Sequence, residues 1–185
     1  MHGEGGERAR FSPVLGASIT IAIVIADVLT KRLALAFLPP RSVPHEVLGE
    51  YLRFTLAFNR GVAFGFHLGD ASRYVFSILT LVILGVLLQL YRAAEPGDWM
   101  RRLAIALVAG GAIGNLFDRL RWSAGVVDFI DIGVGDVRFW TFNVADMAVS
   151  TGAVVLIWVL QREDNEARRA AEAARAAPSP DAGGA

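Results

Sequence analysis

The chemistry open to this chain is carboxylate and amide chemistry, because little else is present. It has no cysteine, and so no thiol nucleophile, disulfide or thiolate ligand. His2, His45 and His67 are scattered and no HExxH occurs, so zinc hydrolysis lacks its usual ligands. No GxSxG elbow exists and no serine stands beside a base. What remains is a set of polar side chains in or beside apolar blocks: Asp27 with Lys31, Asn115 with Asp118 and Arg119, Asp128, and Asn143 with Asp146. Two aspartates brought close share a proton, since both cannot ionise cheaply. One then acts as base on a water while the other, protonated, polarises a carbonyl. Peptide hydrolysis by this route needs no metal or cofactor.

The elements that must position these groups are membrane spans. Of 185 residues 54% are hydrophobic, and the mean hydropathy is +0.46. The apolar content falls in four blocks, 14–38, 74–91, 103–120 and 144–160. Each has about 17–25 residues, enough to cross roughly 30 Å of hydrocarbon as a helix. The pattern predicts an all-α membrane protein, a four-transmembrane-helix bundle. The first block carries Asp27 and Lys31, and reads as a retained span, not a cleaved signal. Pro39, Pro40 and Pro44 break it; then Leu52, Phe54, Leu56 and Phe58 alternate with Arg53, Thr55, Ala57 and Asn59. That period of two predicts a small extracytoplasmic β-sheet, with the β-like segment at 45–66. Residues 1–161 read as one membrane domain and 162–185 as a cytoplasmic tail that starts helical and frays.

Basic residues orient the bundle. Arg8 and Arg10, then Arg92, Arg101 and Arg102, then Arg162, Arg168, Arg169 and Arg175 place both termini and the second connection in the cytoplasm. Arg41, Arg53, Arg60, Arg73 and Arg138 on the other side weaken the contrast. Trp99 and Trp158 mark the inner interface, Trp122 and Trp140 the outer. Zero net charge leaves no footprint for nucleic acid.

Under this topology the polar residues share one depth near the outer face. Each also has a plainer reading. Asp27–Lys31 is a helix-packing ion pair, one turn apart. Asp118 and Arg119 anchor an interface. Asn143 caps the fourth helix. Gly110 and Gly114 are a close-packing step. Asp128 is a loop carboxylate. Asp146 is hardest to explain by structure alone, because no basic residue lies near it in sequence. Gly133-Val134-Gly135-Asp136 spells the GxGD of presenilin-type proteases, but it lies outside any span and reads as a turn. Asp128 and Asp146 pair naturally by depth, although sequence alone does not bring them together. The rival reading is a small ion or proton transporter that relays protons through intramembrane carboxylates.

Five strings in order resemble the motifs of lipoprotein signal peptidases, the signal peptidase II family. They are Asp27-Val28-Leu29-Thr30-Lys31, the segment from Asn59 to Gly65 (NRGVAFG), GGAIGNLFDR from Gly110 to Arg119, Val126-Val127-Asp128-Phe129-Ile130, and Phe142-Asn143-Val144-Ala145-Asp146. The glutamine common after the first aspartate is Val28 here. The resemblance implies an aspartic endopeptidase with Asp128 and Asp146 as catalytic residues. Asn59, Arg60, Gly61, Asn115, Arg119 and Asn143 match positions that line the site, and Asp27, Lys31 and Asp118 match supporting positions. It further implies a diacylglyceryl-modified prolipoprotein substrate cut immediately before its lipidated cysteine, and a multi-pass monomer in the bacterial inner membrane among membrane lipids. No metal or cofactor is implied, and inhibition by globomycin is.

Overall fold

A computed structural model describes residues 12–38, 42–61, 71–95 and 97–176. Ser12 accepts a hydrogen bond from Leu15 N at 3.1 Å and Pro13, which has no N–H, takes the first helical position, so the start of helix α1 (Pro13–Phe37) leaves fewer free N–H groups. Two strands follow, β1 (His45–Leu48) and β2 (Leu52–Asn59), then α2 (Ser72–Ala93) and α3 (Trp99–Arg121). Strands β3 (Val126–Val134) and β4 (Val137–Arg138) precede α4 (Val144–Ala176). All four helices are long and apolar enough to cross a membrane. The expected segment 45–66 is a strand only to Asn59. Its residues 62–66 lie outside the described residues, as do Pro39, Pro40, Arg8, Arg10 and the tail from 177. The start of that tail, 162–176, continues α4 without a break, giving about 50 Å of helix at 1.5 Å per residue.

The bundle turns its apolar side chains outward. Ile21, Ile25, Leu29 and Leu33 line one face of α1 and are all more than half exposed, while Asp27 and Lys31 are buried on the opposite side. That is the distribution expected of helices solvated by hydrocarbon. Helix α3 is central and packs against α1, α2 and α4. Its Leu87–Ile105–Val108 contact with α2 forms a small apolar core.

Small residues set how close α3 comes to its neighbours. A Cβ at Gly110 would lie 2.9 Å from Ile23 Cβ of α1, and one at Gly114 would lie 2.6 Å from the Asp27 carboxylate. A Cβ at Gly111 would run into the backbone carbonyl of Ala145, the first turn of α4. The packing reading of Gly110 and Gly114 is therefore correct, but the contact with α4 falls to Gly111.

The sheet is antiparallel, in the order β1-β2-β3-β4. Its third and fourth strands lie where the sequence reads as a loop at Asp128 and a turn at Gly133–Asp136. Gly135 (φ +54°) and Asp136 turn between them, so the GxGD string spans the end of β3 and its hairpin turn. At the other end of β3, Gly125 has φ +106°, and a Cβ there would collide with Asn59 O and Arg60 N. Only glycine lets β3 start against the end of β2.

Gly111→Ala should lower the detergent thermal midpoint, by an equivalent of about 1–3 kcal/mol for an overpacked contact. Gly85→Ala on α2, where nothing lies within 4 Å of the new methyl, should leave it unchanged or raised.

Candidate active site

Helix α1 contributes Asp27 and Lys31, whose ion pair measures 2.7 Å. The Lys31 ammonium also lies 2.9 Å from Asp118 Oδ2 and 3.0 Å from Asn115 Oδ1, both on α3. Three acceptors therefore surround it, as many as it has N–H bonds. Both carboxylates also reach beyond the lysine. Asp27 Oδ1 accepts from Ala145 N at 2.9 Å, in the first turn of α4, where a negative charge is favourable. Asp118 Oδ2 accepts from Val127 N at 3.1 Å, at the start of β3. One buried ion cluster thus fixes α1, α3, α4 and the sheet to one another.

The sheet delivers Asp128. Ala57 of β2 stands opposite it, and on its other side β3 is tied to Phe142 by Ile130 N→Phe142 O (2.8 Å) and Phe142 N→Ile130 O (3.0 Å). That tie leaves Asn143 beside Asp128 just as the chain enters α4. Asn143 Nδ2 donates to Asp128 Oδ1 at 2.7 Å, with Val127 O and Asn115 Oδ1 each at 3.2 Å. Asn143 Oδ1 accepts from Asp146 N at 2.9 Å, and Asp146 Oδ2 accepts from Asn143 N at 3.1 Å. This reciprocal pair is a capping box in which the third-position acid is an aspartate. Capping and site membership are thus one arrangement. Asp146 Oδ1 accepts from Asn115 Nδ2 at 2.8 Å, so each aspartate receives an asparagine N–H.

Burial separates the two carboxylates. Asp128 is 2% exposed, whereas Asp146 is half-buried. Loss of solvent pushes the Asp128 carboxyl up to about 7, and the charge of Asp146 adds to this. Hydrogen bonds from Asn143 and Asn59 and the charge of Lys31 offset part of the rise. The Arg119 guanidinium interacts electrostatically with Asp146, Asp128 and Asp118 and lies over the Phe76 ring, 5.8 Å from its centre. Among the described residues no three His, Cys, Asp or Glu side chains group as a metal site.

A model of the signal peptidase II family matches residues 19–162. The chain belongs to the signal peptidase II family. It is 38% identical to a lipoprotein signal peptidase of Coxiella burnetii over 143 residues, covering 75% of this chain and 85% of that one. It is 37% identical to the lipoprotein signal peptidase of Hydrogenovibrio crunogenus over 165 residues, 83% and 91% of the two chains. A bacterial membrane enzyme solved in meso at 2.3 Å resolution superposes with a TM-score of 0.74 at 29% identity, over 85% of this chain and 93% of that one. The chain is thus a peptidase and a multi-pass bacterial membrane protein.

Within this peptidase the residues singled out from sequence fall into one connected group. Asp27, Lys31, Asn115, Asp118, Asn143, Asp128 and Asp146 are linked by the contacts above, and Asn59 joins through Asp128. Gly61 (φ +84°) takes a turn in which its N–H meets Asn59 Oδ1 at 2.8 Å, while the Arg60 carbonyl accepts from Ser72 Oγ. The Arg60 side chain is exposed and makes no described contact with the aspartates. Sequence reasoning gave Phe142, quoted only as part of a motif, no role of its own, although its backbone docks α4 onto β3, and it passed over Phe76 beneath Arg119. Neither carries a polar signal that could have flagged it.

The native state holds the Asp128 proton to higher pH than an unfolded chain, whose aspartate titrates near 3.8. The group therefore takes stability away as pH rises from about 4 to about 7. The thermal midpoint of Asp128→Asn relative to the parent should climb across that window and level off above it. A flat difference would mean that the carboxyl titrates normally.

Proposed function

We propose that the peptidase removes signal peptides from diacylglyceryl-modified prolipoproteins, cutting immediately before the lipidated cysteine, and that Asp128 and Asp146 are its catalytic pair. The observation that carries this reading is Asn143, which hydrogen-bonds both carboxylates where burial favours a single shared proton. The ionised carboxylate takes a proton from a water, and the water oxygen bonds to the scissile carbonyl carbon. The protonated carboxyl gives its proton to the carbonyl oxygen, yielding a gem-diol. Collapse of that diol passes a proton to the cysteine nitrogen and breaks the C–N bond, releasing the signal peptide acid and the lipoprotein amine. Asn59, Arg60, Gly61, Asn115, Arg119 and Asn143 line the site and hold the substrate backbone. Arg119 places a positive charge beside the developing oxyanion. The lipid rests against the outward apolar helix faces, which suits a site at bilayer depth.

In this reading the protein is a monomer of the bacterial inner membrane, with both termini cytoplasmic and the site near the outer face. Two features support it. The α1 start, the α2 end and the α3 start meet at one end of the bundle, with basic Arg92, Arg101 and Arg102, and the sheet with the aspartates lies at the other.

Asp128→Asn and Asp146→Asn should each reduce cleavage of a purified diacylglyceryl prolipoprotein by at least about a thousandfold, a loss expected of a core catalytic group. Globomycin should block the parent. Undiminished turnover by either folded variant would remove that residue from the pair. Because the parent has no cysteine, single cysteines report topology cleanly. In spheroplasts an impermeant maleimide should label Ser123→Cys directly and Ala170→Cys only after lysis. The opposite pattern would invert the orientation.

A further inference from the structure

Lys31 reaches the proposed pair through an amide. It can only donate, so the Asn115 atom facing it at 3.0 Å must be the carbonyl oxygen. The other end of the same amide, Nδ2, is thereby turned to Asp146 Oδ1 at 2.8 Å, where a carboxylate needs a donor. The same carbonyl oxygen also receives Asn143 Nδ2 at 3.2 Å, and that nitrogen in turn holds Asp128 Oδ1 at 2.7 Å. Were Asn115 flipped, Nδ2 would face an ammonium and the amide hydrogens of Asn143, while its oxygen faced a carboxylate. Every contact would be repulsive. We propose that Lys31 is a positioning residue for the reaction, its ammonium locking Asn115 so that asparagine N–H groups hold Asp146 and Asp128 in place.

This goes beyond support of the bundle. The 2.9 Å contact with Asp118 already joins α1 to α3, whereas the bond to Asn115 Oδ1 at 3.0 Å also decides which way that amide faces. The inference rests on the Asp128/Asp146 reading. The charged groups around Asp128 are Lys31 from α1, Asp118 and Arg119 from α3, and Asp146 from α4, with Asp27 behind Lys31. Lys31 is one of the groups that hold the Asp128 carboxyl down. Its removal therefore moves the alkaline limb of the rate profile to higher pH.

The test is a double-mutant cycle in detergent with the lipid-modified prolipoprotein, on Lys31→Met, Asn115→Ala and the pair combined, with thermal midpoints measured alongside. Each single change should lower kcat by about 10- to 100-fold, the scale of a modest misplacement of reacting groups, with KM nearly unchanged. The double variant should be no slower than Asn115→Ala, because the lysine acts through that amide. The alkaline limb of Lys31→Met should shift upward. Full kcat in a folded Lys31→Met, or a double loss equal to the product of the single losses, overturns the proposal. If Lys31→Met does not fold, with two carboxylates left unpaired, Asp27→Asn/Lys31→Met/Asp118→Asn replaces it in the same cycle, and kcat additivity alone decides. Asp128→Asn and Asp146→Asn are assayed in parallel. Turnover surviving there removes the pair itself, whereas loss there with an intact Lys31→Met removes only the role of the lysine.

Discussion

The structure depends on one ammonium withdrawn from water. Lys31 is 2% exposed, in a span that is mostly apolar, and an unpaired ion there costs several kcal/mol. The cost is offset by Asp27, Asp118 and Asn115, and each partner is itself committed elsewhere: to the first turn of α4, to the start of β3 and to Asp146. No helix in this set can slide without leaving a buried charge or an orphan N–H. Surrounding apolar contacts are permissive by comparison. Most large side chains of α1 and α2 face outward, and hydrocarbon solvates them about as well as protein does. Position is therefore specified by polar contacts within and only loosely by apolar contacts without.

The two aspartates gain their rigidity differently. Asp146 belongs to a helix terminus and serves it: its carboxylate closes the capping box and its charge suits the positive end of α4. Asp128 sits on a strand between β2 and the Phe142 tie, with burial working against its charge. A carboxylate on a helix terminus and a buried carboxyl on a strand thus stand on either side of Asn143, each held by a different element.

Much of this was legible in the sequence. The four helices follow from apolar runs too long for anything else, and β2 follows from its alternation. The common depth of Asp27, Asn115 and Asp146 follows from their positions within those runs, and that of Asp128 from the short connection between the third and the fourth. Strand β3 was not legible, because carboxylates at 128 and 131 interrupt its Val, Ile and Phe pattern. Asp131 is at home there only because Arg138 pairs with it at 2.8 Å and Thr55 donates to it at 3.1 Å, contacts made by folding. Asn143 was readable as a cap from local spacing, but its bonds to Asn115 and Asp128 are tertiary. The same holds for Gly111, which no motif distinguishes from Gly110.

The long reach of these contacts bears on how the chain is made. Asp27 emerges early, yet the N–H it caps lies 118 residues later, and Thr55 waits 76 residues for Asp131. Loops of this size close late, after local helices have formed and entered the bilayer. Until α4 arrives, the asparagine that joins the two aspartates has no place to sit. The contacts that join the first span, the third span and the sheet to the last helix are thus the ones that the order of synthesis leaves to the end.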